Sequence, residues 1–257
     1  MDTIIVAHID DRKREVRMIS IPRDLFYNGR KINYLAFAYG MPELANAISK
    51  ISGYQLDKYI SIDMYAFIDV IDLIGGLDVH LDNALIDPTY KVEDNGVVST
   101  LHYEPGNYHF NGKQALRVAR SRHTSSDFDR AQRQQLILKA IQRKAQNFGF
   151  GDSVTIYEII KTILSKVETD VSFDDAISYF FRYQNYKIVS NDVISSEDIL
   201  YVPPYITEEE CNKSIEEAKA NSKQKPDCEN DNHAYALLPK DDNWNIIKWY
   251  FRQKFED

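Results

Sequence analysis

The chain has 257 residues, 44% hydrophobic and 27% charged, the balance of a folded globular protein rather than a disordered or fibrous one. Lys and Arg total 31 against 39 Asp and Glu, and the net charge of −8 argues against a nucleic-acid coat or a polybasic membrane binder. No run approaches the roughly 20 apolar residues of a bilayer span; the best, residues 60–77, is broken by Asp63, Asp69 and Asp72. Charged residues at positions 10–17 stand where a signal peptide would be apolar, so the chain as written reads as soluble. Cys211 and Cys228 fit no zinc spacing and are compatible with either a reducing compartment or one local disulfide.

Residues 3–8 are β-branched and apolar on both faces, as in a strand buried on two sides. Residues 16–21 return after a charged turn, which makes a hairpin ending at Pro22. A core strand this near position 1 predicts that something upstream is missing. Residues 42–52 space Leu44, Ala45, Ala47, Ile48 and Ile51 as a helix does. Residues 57–63 alternate like a strand, 65–74 predict a second helix stopped by Gly75-Gly76, and 77–81 alternate again. Residues 83–108 are polar, carry Pro88, Pro105 and Gly106, and predict a long surface excursion. Asn111 is placed to cap a short helix over 112–119. A long amphipathic helix is expected over 127–148, burying Leu136, Ala140, Ile141 and Ala145.

Helices follow at 154–167 and at 173–183, the second with Ser172 ahead of Asp174 and Asp175 in its first turn. A last strand is expected within 188–202, a charged surface insertion at 207–232 and a terminal helix over 243–255. Strands alternating with helices predict the α/β class, as an α-β-α sandwich with helices on both faces of a central mixed sheet.

The densest charge lies in residues 117–144, where Arg117, Arg120, Arg122, Arg130, Arg133, Lys139, Arg143 and Lys144 face only Asp127 and Asp129. Arg120 and Arg122 point to one side of an extended segment. Arg130, Arg133 and Gln134 share a face at the start of the predicted long helix, beside its unpaired N–H groups and positive dipole end. Guanidinium forks at a helix N-terminus suit a multiply charged oxyanion, pyrophosphate best. The plain alternative is a solvated basic face. A second cluster, Ser20-Ile21-Pro22-Arg23-Asp24 with Lys31-Ile32-Asn33, follows a core strand, where α/β folds place ligands. It reads equally as a turn with an Arg–Asp surface pair. Asp69, Asp72 and Gly75-Gly76 read as helix-end architecture, and of the six histidines only His123 lies in the arginine cluster. There is no Ser/His/Asp nucleophile pattern and no Walker loop.

Taken in order, Asp2-Thr3-Ile4, Ile21-Pro22-Arg23-Asp24, Lys31-Ile32-Asn33, Ala38-Tyr39-Gly40, Val70-Ile71-Asp72-Leu73-Ile74-Gly75-Gly76-Leu77-Asp78-Val79 and Phe110-Asn111-Gly112-Lys113-Gln114-Ala115-Leu116 form a pattern. It continues through Ala119-Arg120-Ser121-Arg122 and Asp127-Phe128-Asp129-Arg130 to Arg133-Gln134. The pattern resembles the LytR–CpsA–Psr domain over about residues 1–148. The resemblance implies a catalytic domain over 1–150 that lacks its first strand, completed by a helical 151–257. It implies a hydrophobic groove for a polyprenyl chain, with Ile48, Phe67, Ile71, Leu136 and Ile137 as candidates for its lining or for ordinary core.

It also implies a phosphotransferase that moves an anionic glycopolymer (teichoic acid or capsule type) from polyprenyl pyrophosphate to peptidoglycan. The parent protein would sit at the outer face of the bacterial cytoplasmic membrane, held by an N-terminal anchor that this chain lacks. Carried over by motif, Arg23, Arg120, Arg122, Arg130 and Gln134 would hold the pyrophosphate, with Lys31 and Arg133 in adjoining motif positions. Arg23, Arg120, Arg122 and Asp127 are the candidate catalytic residues. Asp2 matches a carboxylate that helps bind Mg²⁺ (or Mn²⁺), while a second metal-binding acidic residue of the family precedes the start of this chain. Such chemistry needs charge neutralised and atoms aligned. Asp24 and Asp127 are both conceivable as the base. Two rivals remain: a non-catalytic module binding the lipid-linked glycan, and a DNA-binding regulator. The second lacks a recognisable helix-turn-helix, so no nucleic-acid partner is expected.

Overall fold

The computed structural model describes residues 3–94, 96–121, 127–203 and 236–256. The predicted hairpin forms from β1 (Ile4–Asp10) and β2 (Glu15–Ile21), paired antiparallel from Ile4 opposite Ile21 to Asp10 opposite Glu15. Its turn closes because Asp10 Oδ1 accepts the N–H groups of Arg12 (2.8 Å) and Lys13 (2.9 Å). Arg14 then takes the left-handed conformation at φ 55°. β1 alternates buried and half-exposed residues and so is covered on one face, where the sequence suggested two. β2 is the strand enclosed on both sides.

The chain continues through the short strands β3 (Phe26–Tyr27) and β4 (Arg30–Lys31) into α1 (Ile32–Tyr39) and α2 (Met41–Ser52). Gly40, at φ 86°, makes the corner between the two helices, a conformation that a side chain disfavours. The periodicity had predicted α2 alone. The predicted strand at 57–63 reduces to β5 (Ile60–Ser61), because its flanks are used otherwise. Tyr59 N–H bonds to Asp170 Oδ1 (2.8 Å), and Asp63 caps α3 (Met64–Leu73) by accepting from Ala66 N (2.8 Å).

β6 (Leu77–Leu81) pairs with β9 (Gly106–Phe110), and between them lie β7 (Leu85–Asp94) and β8 (Val97–Tyr103). The expected surface excursion is therefore a β-hairpin with an inward face, on which Leu85, Asp87, Val92 and Leu101 are buried. Lys91 and Glu93 are exposed on the outer face, which gives the stretch a polar composition without making it a loop. α4 (Gly112–Arg120) starts on the predicted cap: Asn111 Oδ1 accepts Gln114 N (2.9 Å), and Gln114 Oε1 accepts Asn111 N (3.0 Å). α5 (Asp127–Gln146) is the long helix. Its buried residues are Ala131, Gln135, Ile137 and Ala140, a phase set by a buried glutamine that the apolar pattern could not reveal.

α6 (Ser153–Leu164), β10 (Glu168–Thr169), α7 (Phe173–Tyr183), β11 (Lys187–Val193), β12 (Leu200–Tyr201), β13 (Leu238–Pro239) and α8 (Trp244–Glu256) complete the described chain. Ser172 Oγ caps α7 by accepting Asp175 N (3.1 Å). The charged stretch at 207–232, with both cysteines, lies outside the described residues.

β11 runs parallel to β2 along the edge away from β1, so the central sheet is mixed, in the order β1-β2-β11. Ile19 and Ile21 join a core with Leu35, Leu44, Ile48, Ile51, Ile247 and Phe251, which is the layer of α1, α2 and α8. Ser20 projects from the opposite side of β2 to α5. There Ile137 and Ala140 join a second core with Ile71, Leu77, Phe110 and Val118. The result is an α-β-α sandwich. Tyr250 in α8 is buried and donates to Val193 O (3.3 Å). Burial, with Asp192 and Asp198 nearby, pushes its phenol far above the usual range, so it remains a donor at all ordinary pH.

α3 and α4 approach at Gly112, where an added Cβ would stand 2.3 Å from the Ile68 carbonyl oxygen. Asp72 Oδ1 accepts Gly112 N–H at 2.7 Å and holds the crossing. Gly→Ala in a helix ordinarily stabilises by roughly 1 kcal/mol. Here Gly112→Ala is expected to destabilise by roughly 1–3 kcal/mol, because backbone must move. A thermal melt reads the sign directly.

Candidate functional site

The site is built where β2, α4 and α5 end or begin. β2 runs out at Ile21, and Pro22 starts a turn closed by Leu25 N–H on Pro22 O (3.1 Å). The turn is gripped from two sides: Asn33 N–H bonds to Arg23 O (3.3 Å) and Leu237 N–H to Asp24 O (3.0 Å). Within it, the Asp24 carboxylate receives Arg23 Nε (3.3 Å) and Lys31 Nζ (2.7 Å), with all three side chains partly buried. This carboxylate fixes two cations at the end of the central strand.

α4 ends at Arg120, and Ser121 follows as its C-cap. The last carbonyls of a helix lack intrahelical donors, and α5 supplies them. Arg133 Nη2 donates to Ser121 O at 2.5 Å, and Gln134 Nε2 to Ala119 O at 3.4 Å. The next residue, Gln135, turns to the sheet: its Nε2 bonds to Ser20 Oγ at 3.3 Å, with Gln135 at 0% and Ser20 at 5% exposure. Three consecutive residues of α5 thus fasten the end of α4 and the end of β2 to one helix. The end of α4, with Arg120, and the end of β2, which leads to Arg23 and Lys31, therefore lie against the stretch of α5 that carries Arg130 and Arg133, along one rim of the sandwich. Arg120 is exposed there, whereas Arg130, Arg133 and Gln134 are half-buried.

The LytR_cpsA_psr family matches residues 1–226. The chain belongs to that family. A Bacillus cereus protein named polyisoprenyl-teichoic acid–peptidoglycan teichoic acid transferase TagU is 29% identical over 208 residues, 77% of this chain and 62% of that protein. This chain therefore spans less than two thirds of that relative's length. The crystal structure of B. subtilis TagV matches with a TM-score of 0.69 at 22% identity, over 99% of this chain and 89% of that one. B. subtilis TagU matches at 0.60 and 19%, over 100% and 92%. At such identities these two structures bear on the fold.

Of the family positions predicted to carry chemistry, Arg23, Lys31, Arg120, Arg130, Arg133 and Gln134 lie on the described rim. Asp2 and Arg122 lie outside the described residues, as does His123. Asp127 is the first residue of α5. Among the described residues, no three His, Cys, Asp or Glu side chains gather closely enough to hold a metal ion. The later part of the basic run serves other ends: Arg143 Nη2 bonds to Asp78 O (3.3 Å) and Lys144 Nζ to Gly75 O (3.4 Å), which secures the end of α3 and the start of β6. Arg117 Nη2 reaches Glu93 O (3.5 Å) on the hairpin. Of the groove candidates, Ile48, Ile71 and Ile137 are buried in the two cores, and Phe67 and Leu136 pack half-buried against the second. Among the described residues, no helix is long and apolar enough to cross a membrane.

Sequence reasoning missed Asp87 and Gln135 and quoted Ser20 and Ser121 only as members of motifs, without a role; all four are buried polar residues that hold the rim together. The available signal was positional: a glutamine inside the apolar phase of a helix, and a serine between two arginines. Removing one partner of a buried polar pair costs about 1–3 kcal/mol. Gln135→Met is expected to lose that much in urea melts, and adding Ser20→Ala to recover part of it, since both polar groups are then gone.

Proposed function

We propose that the chain transfers an anionic glycopolymer, of teichoic acid or capsule type, from a polyprenyl pyrophosphate to a peptidoglycan hydroxyl. The observation that carries this is the fastening of three cation-bearing element ends to one rim by Gln134, Arg133 and Gln135 of α5. A diphosphate requires several guanidinium and ammonium donors held at fixed separation, and that is what this arrangement supplies. The name borne by the B. cereus relative supports the same reaction class.

In this reading Arg23, Lys31, Arg120, Arg122, Arg130, Arg133 and Gln134 hold the diphosphate, and Arg23, Arg120 and Arg122 neutralise charge as it shifts to the leaving group. The acceptor oxygen forms a bond to the sugar-side phosphorus. The bond from that phosphorus to the bridging oxygen breaks, and polyprenyl phosphate departs with the electron pair. The hydroxyl proton passes to a carboxylate. Asp24 is engaged by Arg23 and Lys31, so we assign the proton to Asp127 at the head of α5. Asp2 would hold Mg²⁺ (or Mn²⁺) jointly with phosphate oxygens, as hard cations commonly are held, and the ion would add charge neutralisation there. In this reading the substrates call for a protein at the outer face of the bacterial cytoplasmic membrane, with the lipid substrate itself as a contact to the bilayer.

Loss of one such charge donor costs on the order of 10²–10³ in rate. Arg120→Ala is expected to reduce release of polyprenyl phosphate in that range, with the circular dichroism spectrum unchanged. An unaltered rate would refute the assignment. Diphosphate binding with no release by the parent chain would favour the non-catalytic module instead.

A further inference from the structure

Asp87 is a carboxylate at 2% exposure, outside every quoted motif, and its two oxygens hold different parts of the chain. It stands on β7 where the register with β8 shifts: Asp87 faces Leu101, but the next pair is Lys91 with Thr100, so residues 88–90 bulge from the ladder. Oδ1 organises that bulge by accepting Thr89 N (3.1 Å), Thr89 Oγ1 (2.8 Å) and Tyr90 N (3.0 Å). Oδ2 is aimed away, at Ser121 Oγ, 3.0 Å off in a buried contact. Ser121 is the residue between Arg120 and Arg122, at 1% exposure. All of its polar groups are engaged: N–H on Arg117 O (3.0 Å), carbonyl under Arg133 Nη2 (2.5 Å), and hydroxyl on Asp87.

We propose that Asp87 and Ser121 are positioning residues: through the Oδ2–Oγ hydrogen bond, the β7–β8 hairpin fixes the end of α4 and so the direction in which it presents Arg120. The inference rests on the reading of Arg120 as a diphosphate ligand. The N–H and carbonyl of Ser121 are held by α4 and α5, and the hydroxyl adds a third tether, from the hairpin, so the cap beside Arg120 is held from three elements. Acceptor-only carboxylates suit such a post, because they receive several donors at once and offer no competing donor.

The test is calorimetric titration of the 257-residue chain with farnesyl diphosphate as the probe, beside thermal melts. Arg120→Ala reports whether the arginine reading holds, since unchanged binding there overturns the reading and this proposal with it. Given weaker binding by Arg120→Ala, Ser121→Ala is expected to raise Kd about tenfold, and in the Arg120→Ala background to raise it less than twofold. Asp87→Asn is expected to match Ser121→Ala, and the double variant to be no weaker than either single one. A purely structural role would weaken binding equally in both backgrounds, or additively in the double variant, and either result overturns the proposal. So does parent-like binding by Ser121→Ala, a variant that leaves the Asp87 turn intact and keeps the test usable if Asp87→Asn does not fold.

Discussion

Cationic side chains brought to one rim repel one another, by roughly 1–4 kcal/mol for a pair about 4 Å apart depending on the local dielectric. Every other feature of the site follows from how that repulsion is contained. α4 ends at Arg120 against the flank of α5, where the negative end of its dipole faces donors of that helix. The carbonyls of Ala119 and Ser121 lie at that junction and receive Gln134 and Arg133. Asp24 does for Arg23 and Lys31 what those carbonyls do for α5. The anions are kept beneath the rim, either buried or in partly buried pairs, and Arg120 remains exposed above them. In the function proposed above, it is this surface that a multiply charged anion meets.

The same helix shows that positive charge in this protein has two uses. In its first half α5 carries cations to the rim. In its second half Gln142 bonds to Tyr186 O (2.6 Å), Arg143 to Asp78 O, Lys144 to Gly75 O and Gln146 to Gln184 O (3.0 Å). Those four donors satisfy backbone carbonyls on three segments, so α5 acts as a spine to which the end of α3, β6 and the loop leading into β11 are tied. A basic stretch read as one feature is therefore two, separated by the point at which the helix passes from the sheet's end to its flank.

The resemblance and the helix signals made most of the frame legible. The hairpin of β1 and β2, the Asn111 cap, the Ser172 cap and the long helix are local events, each decided by residues within a few positions of one another. What the sequence hid is non-local. The hairpin at 85–103 is polar in composition because its outer face is solvated, and only the alternation of Leu85, Asp87 and Leu101 betrays an inner one. α1 went unseen because Tyr34, Phe37 and Tyr39 are exposed, which blurs the apolar face that marks a helix. In the site, the arginines announced themselves by type and spacing. The residues that hold them in place did not, since a buried Ser, Asp or Gln looks like any surface polar residue until its partner, 34 positions away for Asp87 and Ser121, is known.

Those buried polar pairs also answer why the interior is not wholly apolar at this point. Replacing Gln135 and Ser20 by hydrophobic residues of similar volume would cost little stability, because paired polar groups roughly break even against apolar packing. Ile137 and Ala140 would pack nearly as well if α5 slid along β2 by a turn, about 5.4 Å. The Gln135–Ser20 bond would not survive the slide, and neither would Gln134 on Ala119 or Arg133 on Ser121. Three directional contacts from consecutive residues to two different elements admit one register. That register sets where Arg130 and Arg133 stand along β2 relative to the turn that carries Arg23. The polar core beneath the rim is thus explained by geometry more than by stability: it turns a slidable helix interface into one that holds its charges at a set spacing.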